Sequence, residues 1–110
     1  MPSPLTDAVD RVCRDVIAPA ALRVDADVVP RSHLDAIAET GLLAGAPEAG
    51  SPADVRAAQE RLAGSCLSTW FVLAQHQTPA RLVRQAPPAI RDPLLQLLDS
   101  GTTLAGVAFS

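Results

Sequence analysis

The sequence predicts an all-α fold, an orthogonal bundle of about five or six helices with a short extended segment at the C-terminus. Three observations lead to this prediction. Apolar residues recur at helical spacing along most of the 110 residues. Proline and glycine interrupt that periodicity at intervals suited to short helices, and only one stretch near the end is typical of a strand. A chain of this length forms one domain at most.

The predicted bundle is organised around the stretch 60–77, ERLAGSCLSTWFVLAQHQ. Its middle, 62–74, is apolar or small on nearly every side, and we therefore expect a helix that is buried all round. This run is shorter than the ~20 residues that a bilayer-spanning helix needs, so no membrane segment is expected. The stretch contains the only tryptophan, Trp70, and one of the two phenylalanines.

Two helices are predicted before this stretch. The first covers 5–26, where apolar residues follow i, i+3, i+4 spacing, and Pro19 should bend it because proline removes one backbone hydrogen bond. Ser32 and Asp35 resemble a capping box for a second helix over 33–40.

Glycine and proline delimit the other elements. Gly41 has the character of a residue that ends a helix, and Ser51-Pro52 and Thr78-Pro79 are both typical helix starts. A strand is predicted near the end, over 103–109. The remaining helices are predicted over 52–64, 66–76, 79–85 and 89–99, the last with Ile90, Leu94, Leu97 and Leu98 facing inward and Gly101 after it.

The composition of the chain makes some classes of function and some kinds of site less favourable. The net charge is −3, and all nine basic residues are arginines scattered among acids, so nucleic-acid binding is disfavoured. The N-terminus lacks the pattern of a signal peptide, and we expect a cytoplasmic protein. Cys13 and Cys66 lie within helical patterns and are expected to be buried, reduced thiols. Because there is no CxxC pair, a zinc site is not expected.

Several short segments form an ordered series along the chain. They are IAPAA with VD (17–25), ETGLL (39–43), PEAG (47–50), QERLA with ST and QHQ (59–77), LL with SG (94–101), and LAGVAFS (104–110). In this order and spacing they resemble the N-terminal helical domain of the acyl-CoA dehydrogenase family. Two departures are that the loop after Pro47 is short and lacks a glycine pair, and that Ser110 replaces the usual threonine.

The resemblance implies a division of the chain and a function. Residues 1–101 would form the helical domain, and 102–110 the first strand of a flavin-binding β domain that lies beyond Ser110. The parent would be an oxidoreductase of fatty acid metabolism that uses FAD to oxidise an acyl thioester, and it would be a homo-oligomer. No catalytic residue is assigned, because the family's catalytic glutamate lies in a later domain. We expect this chain alone to bind FAD weakly or not at all.

The resemblance also implies site residues. The acyl chain of the substrate would lie against the central helix, at Trp70, Leu73, Ala74 and Gln75, although Trp70 and Leu73 could equally be plain core residues. The flavin would first meet the chain at Val107, Phe109 and Ser110.

Three other polar residues invite weaker predictions. His76 is expected to cap or line the end of a pocket, Glu60 to be a solvated helix end, and His33 to lie on the surface. No metal site is expected. The alternative to an enzyme domain is a stand-alone helical interaction module that binds a partner through its apolar helix.

Overall fold

A computed structural model describes residues 3–44 and 50–106, and these residues form helices and no strand. The all-α prediction is confirmed. The elements are α1 (Pro4–Val12), a π-helical turn (Cys13–Ile17), α2 (Ala18–Ala26), α3 (Arg31–Glu39), a 3-10 turn (Leu42–Ala44), α4 (Pro52–Ser65), α5 (Leu67–Val83) and α6 (Pro88–Asp99). Because α1, the π turn and α2 follow one another without a break, the described residues form five separate helices.

The first helix passes through Pro19 by way of the π turn. The N–H of Ala18 donates to the carbonyl of Cys13, five residues earlier rather than four. Pro19 therefore stands at the start of α2, where a missing N–H is tolerated. The predicted continuation of this helix through Pro19 agrees with the structure.

The start of α3 differs from the prediction. Pro30, in extended conformation, precedes the helix, and Ser32 makes no capping bond. Asp35 instead pairs with Arg31 across one turn at 3.2 Å. His33, predicted to lie on the surface, is buried because it shares the inward side of α3 with Leu34 and Ile37.

Two glycines end helices as predicted. Gly41 follows α3 with φ +88°, and Gly101 follows α6 with φ +76°, a region that favours glycine. At Gly101 a Cβ atom would also lie 2.9 Å from Leu43 Cδ1 and 3.1 Å from Ala38 Cβ. Gly101 is therefore required by both its conformation and the close approach of the neighbouring elements.

The boundary between α4 and α5 was predicted nearly correctly, and the end of α5 was not. Ser51 caps α4 by accepting a bond from the Asp54 N–H at 3.1 Å. The break falls at Cys66, whose backbone is extended. The separate helix predicted from Pro79 is wrong, because α5 continues through this proline to Val83. Gln77 and Ala80, on either side of it, are both buried, and their packing favours continuation of the helix.

The core is aliphatic, as its composition requires. It is built mainly from the first helix, the 3-10 turn, α4 and one side of α5, and its largest fully buried apolar side chains are Ile17, Leu42, Leu43, Leu62 and Leu73. Trp70 is only half-buried and packs against the edge of this cluster.

Two predictions about buried surfaces are wrong. The stretch 62–74 is not buried all round, because Leu67 and Phe71 are 64% and 57% exposed. In α6 only Leu98 is buried, while Ile90, Leu94 and Leu97 are exposed. Both helices meet the rest of the bundle through one side only, and no other part of the described chain covers the opposite side.

The predicted strand over 103–109 is described only in part. Residues 103–106 follow α6 without forming a strand. Val107, Phe109 and Ser110 lie outside the described residues, as does most of the loop 47–50. The assignment of 102–110 to a β domain stays a prediction.

Candidate functional site

The side of α5 that points away from the core combines large apolar side chains with partly accessible small and polar ones. With 100° per residue, the positions of this side fall within about 100° of one another around the helix. We call it the outward face of α5. It consists of Leu67, Phe71, Ala74, Gln75, Thr78 and Leu82, of which Leu67, Phe71 and Leu82 are exposed and the others half-buried.

The residues predicted to form the acyl wall divide between the two sides of α5. Ala74 and Gln75 lie on the outward face, and Trp70 lies half-buried at its edge. Leu73 is fully buried in the core and has no surface to offer a ligand. The structure thus brings Trp70, Ala74 and Gln75 to one accessible side and places Leu73 beneath them.

The segment after α6 returns to this face. The N–H of Thr103 donates to the carbonyl of Leu97 at 3.1 Å. Arg31 donates to the carbonyls of Gly101 and Thr102. Gly106 then lies next to the outward face, because a Cβ atom built on it would be 3.9 Å from Gln75 Oε1.

His76 connects α5, α6 and this segment. Its side chain is fully buried. Nε2 lies 2.8 Å from the carbonyl oxygen of Leu98, in the last turn of α6, and Nδ1 accepts a bond from the N–H of Ala105 at 3.2 Å. His76 therefore holds a helix end and the following segment together, and both of its ring nitrogens have partners.

Gln77 is a buried residue with a structural role that the sequence analysis did not identify. Its Nε2 donates to the carbonyl of Leu42 at 2.9 Å, and its Oε1 accepts from Gln59 Nε2 at 2.6 Å. This buried amide ties α5 to the 3-10 turn and to α4. The available signal was its helical spacing, since Gln77 follows the buried Leu73 by one turn.

A second polar group joins α2 to the start of α5. Ser68 Oγ donates to Asp25 Oδ1 at 2.6 Å, and Thr69 Oγ1 donates to Cys66 Sγ at 3.2 Å. Cys66 Sγ also lies 3.9 Å from Asp25 Oδ1. Because Asp25 is exposed and already accepts the shorter bond from Ser68, we interpret this group as one that stabilises the junction rather than as a nucleophile with its activating base.

The two cysteines are free and buried, as predicted. Burial raises the pKa of the Cys13 thiol above its ordinary value of 9.0, more than a bond to Ser65 and the charge of Arg61 lower it. The thiol form is therefore favoured at neutral pH, and Cys13 is a core residue.

Two open cavities lined by described residues lie elsewhere in the bundle. One of about 260 Å³ between α1 and α4 contains the exposed ion pair of Arg61 and Asp10, and another of about 210 Å³ lies between α1 and α3. Neither is lined by Trp70, Leu73, Ala74 or Gln75. Within the described ranges, no group of three or more histidine, cysteine or acidic side chains could hold a metal ion.

Two common features of a dinucleotide site are weak or missing in this chain. The sequence has no GxGxxG loop, and five of the nine arginines are paired singly with aspartates. Glu60 is exposed, as predicted, but it lies within α4 rather than at its end.

Comparison with known proteins gives no relative for this chain. No family model, no curated protein and no solved structure matches it. None of the helices in the described part of the chain is long and apolar enough to cross a membrane.

Proposed function

We propose that this chain is the helical domain of an acyl-CoA dehydrogenase-like flavoprotein, and that the outward face of α5 is one wall of its acyl-thioester site. The observation that carries the proposal is the exposure of Leu67, Phe71 and Leu82 on one side of a helix whose other side is buried. The ordered motifs that resemble the family supply the class of ligand.

The face suits an acyl chain better than a charged or strongly polar ligand. Its accessible side chains are mainly apolar, and α5 carries no carboxylate at any position. Its polar members are Gln75 and Thr78, and Thr78 Oγ1 donates to the carbonyl of Ala74 within the helix at 3.4 Å. A site of this kind is typically apolar with a few polar groups that orient the ligand.

The chain's contribution to the reaction is binding and the exclusion of water. Dehydrogenation needs a carboxylate that removes the α-proton and an acceptor for the β-hydride. α5 carries no acid, and Asp25, which contacts the start of α5, already accepts a bond from Ser68. We therefore assign both groups to parts of the protein outside residues 3–44 and 50–106.

A titration with acyl-CoA thioesters of increasing length tests the proposal. Trp70 is the only tryptophan and lies at the edge of the face, so its fluorescence reports binding there. Full burial of one CH₂ contributes about 0.8 kcal/mol; an open wall buries part of each, so we expect affinity to rise roughly twofold per CH₂. Free coenzyme A should leave the emission unchanged.

A matched pair of variants locates the binding. Phe71→Asp places a charge on the face and should weaken binding of the longer thioesters at least about tenfold. Leu22→Asp makes the same kind of change on α2, where Leu22 is 88% exposed, and should bind like the wild type. Affinity that is independent of acyl length, or equal in the two variants, would contradict the proposal.

The second candidate is a helical interaction module, and the exposed row on α6 favours it. Ile90, Leu94 and Leu97 lie on one side of that helix and are 55%, 41% and 41% exposed. If the chain is an interaction module, acyl-CoA should leave the Trp70 fluorescence unchanged. The protein should instead associate with itself as its concentration rises, and Ile90→Asp should abolish this association. The reading frame beyond Ser110 also separates the two, since Glu-Pro and Gly-Ser-Asp motifs there would indicate the enzyme.

A further inference from the structure

The bonds of His76 determine its tautomer. A backbone N–H can only donate, so Nδ1, which receives the Ala105 N–H, carries no proton. A backbone carbonyl can only accept, so Nε2, at 2.8 Å from the oxygen of Leu98, carries the proton. The ring is therefore neutral, with its proton on Nε2.

This tautomer joins three parts of the fold at one point. His76 is fully buried on α5, Leu98 belongs to the last turn of α6, and Ala105 lies in the segment that follows. The next residue, Gly106, is the one that approaches Gln75 on the outward face. Besides the bonds of Thr103 and Arg31, the bond from the Ala105 N–H holds the segment beside the face, and this bond requires an unprotonated Nδ1.

We propose that His76 is a positioning residue whose neutral Nε2–H tautomer fastens the segment 100–106 to α5 and thereby holds Gly106 beside the outward face. The benefit of this position for acyl-thioester binding rests on the proposed function. A proton on Nδ1 turns the acceptor into a donor that opposes the Ala105 N–H.

The segment 100–106 has no titratable side chain of its own. Beside it, Asp99 Oδ2 at the end of α6 accepts from Arg84, the residue after α5, at 2.7 Å. Of the other charged or titratable groups on the elements packed against α5, His33 is buried, Asp54 and Arg91 are half-buried, and the rest are exposed. They are Arg23 and Asp25 on α2, Arg31, His33, Asp35 and Glu39 on α3, Asp54, Arg56, Glu60 and Arg61 on α4, and Arg91 and Asp92 on α6.

Two variants separate the two bonds. In His76→Asn the side-chain oxygen occupies the place of Nδ1 and can still accept from Ala105, while the bond to Leu98 is lost. In His76→Gln the terminal amide occupies the place of Nε2 and can donate to Leu98, while the acceptor for Ala105 is lost. A purely structural role for the ring would make the two variants alike.

Amide hydrogen exchange of the 110-residue chain tests the fastening, with the Leu73 amide as internal reference. One hydrogen bond contributes on the order of 1 kcal/mol, so protection at Ala105 should fall about fivefold to tenfold in His76→Gln and stay near the wild-type value in His76→Asn. Long-range ¹H–¹⁵N NMR of the wild type identifies which ring nitrogen carries the proton. A protonated Nδ1 at neutral pH, or equal protection in both variants, overturns the proposal.

The acyl-CoA titration is run on the same samples, so that the two proposals fail separately. A flat titration of the wild type refutes the proposed function while the exchange data still decide the fastening. If the wild type binds, weaker binding by His76→Gln than by His76→Asn supports the role in the ligand wall. Equal affinity of the two variants overturns that role.

Discussion

The buried side of α5 carries more polar side chains than its outward side, which is the reverse of the usual arrangement. The buried side contains a threonine, a histidine and a glutamine, whereas the outward side exposes two leucines and a phenylalanine. The residues are Thr69, Leu73, His76, Gln77 and Ala80 on the buried side and Leu67, Phe71 and Leu82 on the outward side. The difference shows that hydrophobicity alone does not decide which side of this helix enters the core.

Specific hydrogen bonds make the polar side of α5 suitable for burial. Each of Thr69, His76 and Gln77 has a partner, and His76 and Gln77 have two each. Buried polar groups with partners cost little, while unpaired ones cost about 1–3 kcal/mol. The outward side has no such requirement, so its apolar side chains remain available for a ligand or partner.

The largest loss of stability is expected when a side chain on the buried side of α5 is shortened. Leu73→Ala should lower the free energy of unfolding by about 2–5 kcal/mol, because it removes buried methyl groups and leaves a cavity. The measurement is a urea melt followed by circular dichroism. Leu67→Ala is the matched control, since the same side chain is 64% exposed six residues earlier, and it should cost less than about 1 kcal/mol. Equal losses would remove the distinction between the two sides.

An intermediate loss of stability is expected when the buried amide of Gln77 is removed. Gln77→Ala removes the donor of the Leu42 carbonyl and the acceptor of Gln59, and should cost about 1–3 kcal/mol in the same melts. Gln77→Glu tests whether the loss is one of hydrogen bonding, because it keeps an acceptor and loses the donor to Leu42. If Gln77→Ala matches the wild type, the bonds at Gln77 do not explain its burial.

The smallest effect on stability is expected on the outward side. Phe71→Ser should change the free energy of unfolding by less than about 0.5 kcal/mol, because Phe71 is 57% exposed. Binding of a fluorescent apolar dye to the folded protein should fall at the same time, since the exposed apolar area shrinks. A loss above about 2 kcal/mol would mean that Phe71 is covered in solution.

Several local features were predictable because their causes lie within a few residues. Ser51 can cap a helix and Pro52 is favoured at its first position, so this pair predicts the start of α4. Gly41 and Gly101 permit the positive φ angles that end α3 and α6. The all-α class follows from the apolar spacing. The acyl-wall residues came from the resemblance, and their role stays a prediction; in the structure Trp70, Ala74 and Gln75 are half-buried and Leu73 is buried.

Features that depend on distant partners were not predictable. His33 is buried because its side of α3 meets the rest of the bundle, and α5 continues through Pro79 because Gln77 and Ala80, on either side of it, are packed in the core. Gln77 is buried because Leu42, thirty-five residues away in sequence, presents a carbonyl to it. No local pattern contains these partners.

The sequence by itself determined that this protein is helical, where most helices begin, and that its core is aliphatic, because spacing, caps and composition act over short distances. Only the tertiary structure decided which side of α5 is buried and that α6 exposes most of its apolar side. The reason is that burial depends on which elements meet. His76 joins α6 and the segment after it only when the bundle has formed.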